Sequence, residues 1–182
     1  MMGRKLKEFK RRDAMKRLSL IMGVVALLLP IGCTTTERTV SSKLYGISSQ
    51  YREDIRGNFT VESLLLYRKI TLSTNSAVVL ERYRPDAGEI FYTFKAMYLG
   101  PDWRFMQEIH IKTDGSLYSL EDRTPVRDVL SGGTVQEIVT VILPEKVIAD
   151  LSNTSTLTLQ YWIDPIPIPA EGVEAVRRFL LY

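Results

Sequence analysis

Residues Ala77–Leu99 read Ala-Val-Val-Leu-Glu-Arg-Tyr-Arg-Pro-Asp-Ala-Gly-Glu-Ile-Phe-Tyr-Thr-Phe-Lys-Ala-Met-Tyr-Leu. Two runs rich in β-branched and aromatic side chains flank Pro85-Asp86-Ala87-Gly88. Proline pre-sets φ, aspartate bonds nearby backbone and glycine tolerates positive φ, so that tetrapeptide is turn chemistry. The stretch predicts two strands, 77–84 and 90–99, meeting at a tight turn.

The same rhythm extends in both directions. Before it, Glu62–Ser73 reads as a strand closed by the Thr74-Asn75-Ser76 turn. After it, Gly100-Pro101-Asp102 turns the chain into a strand over Trp103–Lys112. On a strict two-residue period, Trp103, Phe105, Ile109 and Ile111 share one face of that strand. Arg104, Met106, Glu108, His110 and Lys112 share the other. Asp114-Gly115 is a hairpin signal, answered by Ser116–Leu120. Val126–Leu130 reads as a short edge strand, and Ser131-Gly132-Gly133 turns the chain into Thr134–Leu143.

The period then changes. Pro144 suits a first helical turn, and Val147, Ile148 and Leu151 form a one-sided stripe, so 144–152 reads as a short helix that Asn153 can cap. Thr156–Ile163 alternates again as a strand. The prolines of Asp164–Pro169 demand extended backbone. Glu171–Leu181 reads as an amphipathic helix with Val173, Val176, Phe179 and Leu180 on one face, and Glu174 within reach of Arg178 four residues on. The expected fold is mainly β: an antiparallel sandwich or curved sheet of about 7–8 strands, with one short helix near 144–152 and a C-terminal amphipathic helix. One globular domain, 44–182, can bury a core without disulfide staples.

Charge is divided unevenly along the 182 residues, whose formal net charge is +3. Residues 1–33 hold eight Lys/Arg against two Asp/Glu. Residues 34–182 hold sixteen against nineteen. The basic character belongs to the first segment, and the domain that follows is mildly acidic. A nucleic-acid partner is therefore not expected.

That first segment has the build of an export signal. Basic residues from Arg4 to Arg17 precede the apolar run Leu18–Ile31, which is shorter than the ~20 residues of a membrane span. The run ends in Leu29-Pro30-Ile31-Gly32-Cys33. A small residue directly before a lone cysteine, at the end of such a run, resembles the lipobox of bacterial lipoproteins. Gly32 and Cys33 match that pattern, and Pro30 stands where leucine is usual. The resemblance implies a signal peptide, 1–32, cleaved between Gly32 and Cys33. It implies lipid on Cys33, and a membrane partner through that lipid. Residues 33–43 then read as a flexible tether. Met15-Lys16-Arg17 and the apolar run form a complete short signal by themselves, so translation from Met15 is an open alternative. Thr34 lacks the aspartate that resembles an inner-membrane retention signal, which points to the outer membrane. Cys33 is the only cysteine, so no disulfide can form within the chain.

Catalytic motifs are not found. There is no Gly-x-Ser-x-Gly elbow and no phosphate-binding loop. His110 is the only histidine and reads as a solvated strand residue, with no second His or Cys to join it as a metal ligand. Asp114 reads as a hairpin residue, because further acidic residues at calcium-loop spacing are missing. No cofactor or metal is expected. The distinctive feature is aromatic. Phe91, Tyr92, Phe94, Tyr98, Trp103 and Phe105 are interleaved with Arg82, Arg84 and Lys95. They read either as a β core with tyrosines at its margin or as a stacking surface for a ligand. In the second reading Tyr92, Tyr98 and Trp162 are the candidate ligand residues. The expected function is an envelope lipoprotein whose domain binds or supports other envelope proteins. The alternatives are a carrier of a small apolar or glycan ligand and, further off, a hydrolytic enzyme.

Overall fold

The computed structural model describes residues 43–54 and 57–181. Gly32, Cys33, the expected signal peptide and nearly all of the expected tether lie outside the described residues. Among the described residues ten strands and two helices follow one another: β1 (Ile47–Asp54), β2 (Gly57–Ile70), β3 (Asn75–Pro85), β4 (Phe91–Gly100), β5 (Glu108–Lys112), β6 (Leu117–Glu121), β7 (Val126–Val129), β8 (Val135–Ile142), α1 (Glu145–Asn153), β9 (Leu157–Gln160), β10 (Ile166–Ile168) and α2 (Ala170–Leu181). Every strand pair is antiparallel. Six strands form the larger sheet, β1-β2-β3-β4-β8-β7, and four form the smaller, β10-β9-β5-β6. The fold is mainly β and not a closed barrel. Among the described residues, no helix is long and apolar enough to cross a membrane.

Register explains where the core lies. Leu64, Leu80, Phe94 and Val141 face one another across four strands of the larger sheet. All four are buried, together with Ile109, Ile111, Leu157 and Leu159 of the smaller sheet and Val147, Leu151, Val176 and Phe179 of the helices. Burying each such side chain contributes roughly 1.5–3 kcal/mol. The two sheets and two helices thus share one core. Leu65, Ala77 and Val79 form a separate, smaller cluster on the opposite face of the larger sheet.

The hairpin that organises the sequence reading is present as β3 and β4. The short helix and the C-terminal helix stand within a residue or two of their expected bounds, and Val173, Val176 and Phe179 are buried as the stripe requires. Other details differ. Two strands were not foreseen, β1 and the proline-bearing β10. Ile166-Pro167-Ile168 can form a strand because β10 is an edge, where a missing N–H costs little. Glu174 pairs with Arg177 at 3.2 Å, not with Arg178. Asn153 donates through its side chain to the Ala149 carbonyl at 2.8 Å, closing the end of α1.

The main correction concerns residues 103–112. Only 108–112 form a strand. Phe105 has φ +54°, in the left-handed region, and this breaks the two-residue period. Phe105 turns out to solvent at 68 % exposure while Met106 goes inside. The cause is Glu137, which points into the core from β8 at 0 % exposure. Its carboxylate accepts the backbone N–H groups of Arg104, Phe105 (3.2 Å) and Met106 (3.0 Å). Three consecutive N–H groups converge on one anion only if the backbone curls, and the left-handed residue provides the curl.

Candidate functional site

A cleft of about 160 Å³ lies where the end of the larger sheet meets the β9–β10 connection. Tyr67 and Lys69 reach it from β2, Ser76 from β3 and Tyr98 from β4. Thr71 and Thr74 come from the β2–β3 turn, Arg104 and Met106 from the curled loop, and Tyr161, Trp162, Asp164 and Ile166 from the β9–β10 segment. A bulge decides two of these. The β2–β3 register shifts between Leu65 and Tyr67, so Tyr67 pairs with Val78 and Lys69 with Ser76. Without the extra residue, strict alternation would place both on the opposite face.

Arg104 is the centre of the cleft. Its guanidinium carbon lies 3.8 Å from the Trp162 ring centroid and 5.1 Å from that of Tyr98. Both distances are within cation–π range. Its Nε–H is buried and has no hydrogen-bond partner. None of the ion pairs among the described residues includes Arg104. Tyr98 is 4 % exposed and its hydroxyl is also unpartnered. Gly100 makes room for that phenol: a Cβ there would stand 2.0 Å from Tyr98 Oη.

Two other phenols border the same space. Burial, reinforced by the charge of Asp164, raises the pKa of Tyr67. Burial raises that of Tyr161, opposed by a hydrogen bond with the Ser76 side chain. Both therefore stay protonated through neutral pH and act as hydrogen-bonding groups. Neither shift moves a group toward neutrality, where an acid–base catalyst works best.

The candidate ligand residues divide. Tyr98 and Trp162 come together, joined by Arg104. Tyr92 does not join them: it packs edge-on against Phe179, ring centroids 6.5 Å apart. Arg82, grouped with the surface cations by sequence, is buried. It bonds Glu62 at 2.6 Å and the Phe179 carbonyl at 3.2 Å, satisfying an orphan carbonyl near the end of α2. Trp103 and Phe105 lie outside the cleft lining. Arg104 and Glu137 were not singled out in the sequence. A signal for Glu137 exists, since it stands between Val135, Val139 and Val141 on the apolar register of β8. Arg104 carries no such mark.

His110 lies on β5, one-third exposed, with Nε2 3.2 Å from Glu108. Among the described residues, no group of three His, Cys, Asp or Glu side chains could hold a metal. Asp114 holds the β5–β6 turn against the chain after α1. It accepts from both the backbone and the hydroxyl of Ser155 and of Thr156, which keeps its carboxyl well below the usual range. A second, larger cavity of about 390 Å³ lies between the larger sheet and α2, lined by Tyr45, Ile47, Leu64, Arg82, Ala175, Arg178 and Phe179. Compared with known protein families, curated proteins and solved structures, the chain matches none.

Proposed function

We propose that this chain is a lipid-anchored protein of the bacterial cell envelope, held through Cys33, whose β-rich domain is a binding module for another envelope protein. The outer membrane is the favoured location. Support for the anchor is the basic segment, the short apolar run and the Gly32-Cys33 junction at its end. More than one acyl chain on a protein makes membrane attachment stable. The observation that carries the binding reading is Arg104, whose guanidinium carbon lies over two aromatic rings and whose buried Nε–H has no partner. A buried polar group without a partner costs about 1–3 kcal/mol, and a ligand that supplies the partner recovers it. Trp, Tyr and Arg are also the residues that dominate binding surfaces.

The larger cavity favours a second reading, a carrier of a small apolar ligand. Its volume is in the range of small-molecule sites. Its one buried cation, Arg82, is already satisfied by Glu62 and the Phe179 carbonyl, so specificity there would rest on shape alone.

Two experiments test the proposal. Cys33→Ala should move the protein from the detergent phase to the aqueous phase on phase separation. Unchanged partitioning contradicts the anchor. A photo-crosslinking side chain placed at position 69, exposed at the margin of the cleft, should in cells give a discrete adduct that Arg104→Ala abolishes. Position 142, exposed on the opposite face of the larger sheet, should not. Equal capture from both positions, or none from 69, contradicts the cleft as the binding surface.

A further inference from the structure

We infer that the Arg104 cleft recognises a carboxylate presented by a peptide; the inference rests on the binding-module reading and names its ligand chemistry. A guanidinium has two faces and an edge. In Arg104 the guanidinium carbon lies over the Trp162 ring at 3.8 Å and over the Tyr98 ring at 5.1 Å. The edge carries the N–H groups, and there Nε–H lacks a partner. A planar fork packed on aromatic rings, with no carboxylate of its own among the described residues, matches a planar carboxylate by two parallel hydrogen bonds. Beside it, the unpartnered and buried Tyr98 hydroxyl offers another donor.

The fork is also preorganised. The backbone N–H of Arg104 and those of the two residues after it are bound by Glu137. The loop is therefore fixed before any ligand arrives, and little ordering entropy remains to be lost on binding. Glu137 is a positioning residue for Arg104. It spends its own charge on backbone donors and on Arg127, whose Nε lies 3.5 Å away, and leaves Arg104 unneutralised.

Size and charge narrow the ligand. The cleft's volume, about 160 Å³, is below the ~300–1,000 Å³ of whole small-molecule sites. It fits one side chain or one chain end, not a sugar chain. Asp164 lines the same cleft and repels a doubly charged phosphate more than a singly charged carboxylate. The carboxylate can come from a Glu or Asp side chain or from a peptide C-terminus.

The test titrates the full chain, in detergent micelles, with short peptides while following the Arg104 Nε–H resonance. The probes are Ac-Gly-Glu-Gly-NH2, its Gln counterpart, Ac-Gly-Gly-Gly with a free C-terminus, and inorganic phosphate. The expected result is a shift of the Arg104 signal by at least one carboxylate peptide, with affinity about tenfold above the Gln peptide. Whichever carboxylate peptide binds identifies the source. Arg104→Lys, which keeps charge but loses the fork, should weaken that binding about tenfold. Stronger binding of phosphate, equal binding of the Gln peptide, or an unmoved Arg104 signal overturns the inference. The photo-crosslink from position 69 reports a bound partner whatever group that partner presents to Arg104. A positive crosslink with an unmoved Arg104 signal would refute the carboxylate and spare the binding module.

Discussion

Glu137 shows what a single inward charge can impose. A carboxylate at 0 % exposure is tolerated because three backbone donors and Arg127 surround it. Glu137→Gln keeps the shape but replaces one acceptor oxygen with a donor, which then faces backbone N–H groups. The expected loss is about 2–4 kcal/mol in chemical denaturation, with the Arg104 loop loosened. A variant as stable as wild type would contradict the assigned role. Asp114 makes a different prediction, in pH. Its folded carboxyl sits below its ordinary pKa. The stabilisation is therefore complete above that ordinary value, near 4, and is lost as pH falls below it. Asp114→Asn should be less stable than wild type at neutral pH, and the gap should narrow as the pH falls from about 5 toward 2. A gap independent of pH would show that ionisation contributes nothing.

At the scale of elements, packing can reverse the sign of intrinsic preference. Gly172 lies inside α2, where Gly→Ala ordinarily stabilises a helix by up to ~1 kcal/mol. Here a Cβ would stand 2.6 Å from both Ile168 Cγ2 and Tyr45 Cε1. Gly172→Ala should therefore destabilise, by about 1–3 kcal/mol, as a drop in thermal midpoint. A rise would mean that α2 does not pack as closely as described. The same contrast separates what could be read in the sequence from what could not. The β3–β4 hairpin was legible because Pro85 and Gly88 punctuate two strongly β-prone runs. Both helices were legible from one-sided stripes. The strand over 103–112 was misread because Phe105 and Trp103 mimic alternation, while the curl is imposed by Glu137, more than thirty residues away. The Asp114-Gly115 turn formed a hairpin as expected. Gly115 is not among the glycines with positive φ, so a primed turn is not the reason. The aspartate serves the chain after α1 instead.

For the whole molecule, the sequence separated a basic leading segment from a mildly acidic domain, and the structure supplies the cleft that the domain carries. Only Tyr98 and Trp162, two of the twelve residues that line the cleft, were within reach of sequence reading. Aromatic content points to surfaces that bind, but not to which aromatics meet. That pairing depends on the space left at Gly100 and on the curled loop, both consequences of tertiary contact. Gly100→Ala tests the dependence. It should displace the Tyr98 phenol and weaken ligand binding at the cleft, in peptide titration, more than it lowers thermal stability. Equal binding by this variant would detach Tyr98 from the site. The central claim, a binding domain carried on a lipid anchor, is tested most directly by intact mass and N-terminal sequencing of the chain purified from membranes. The account predicts a chain beginning at Cys33, heavier than its sequence by the mass of attached acyl groups. A chain that retains residues 1–32, or begins with an unmodified Cys33, would contradict it.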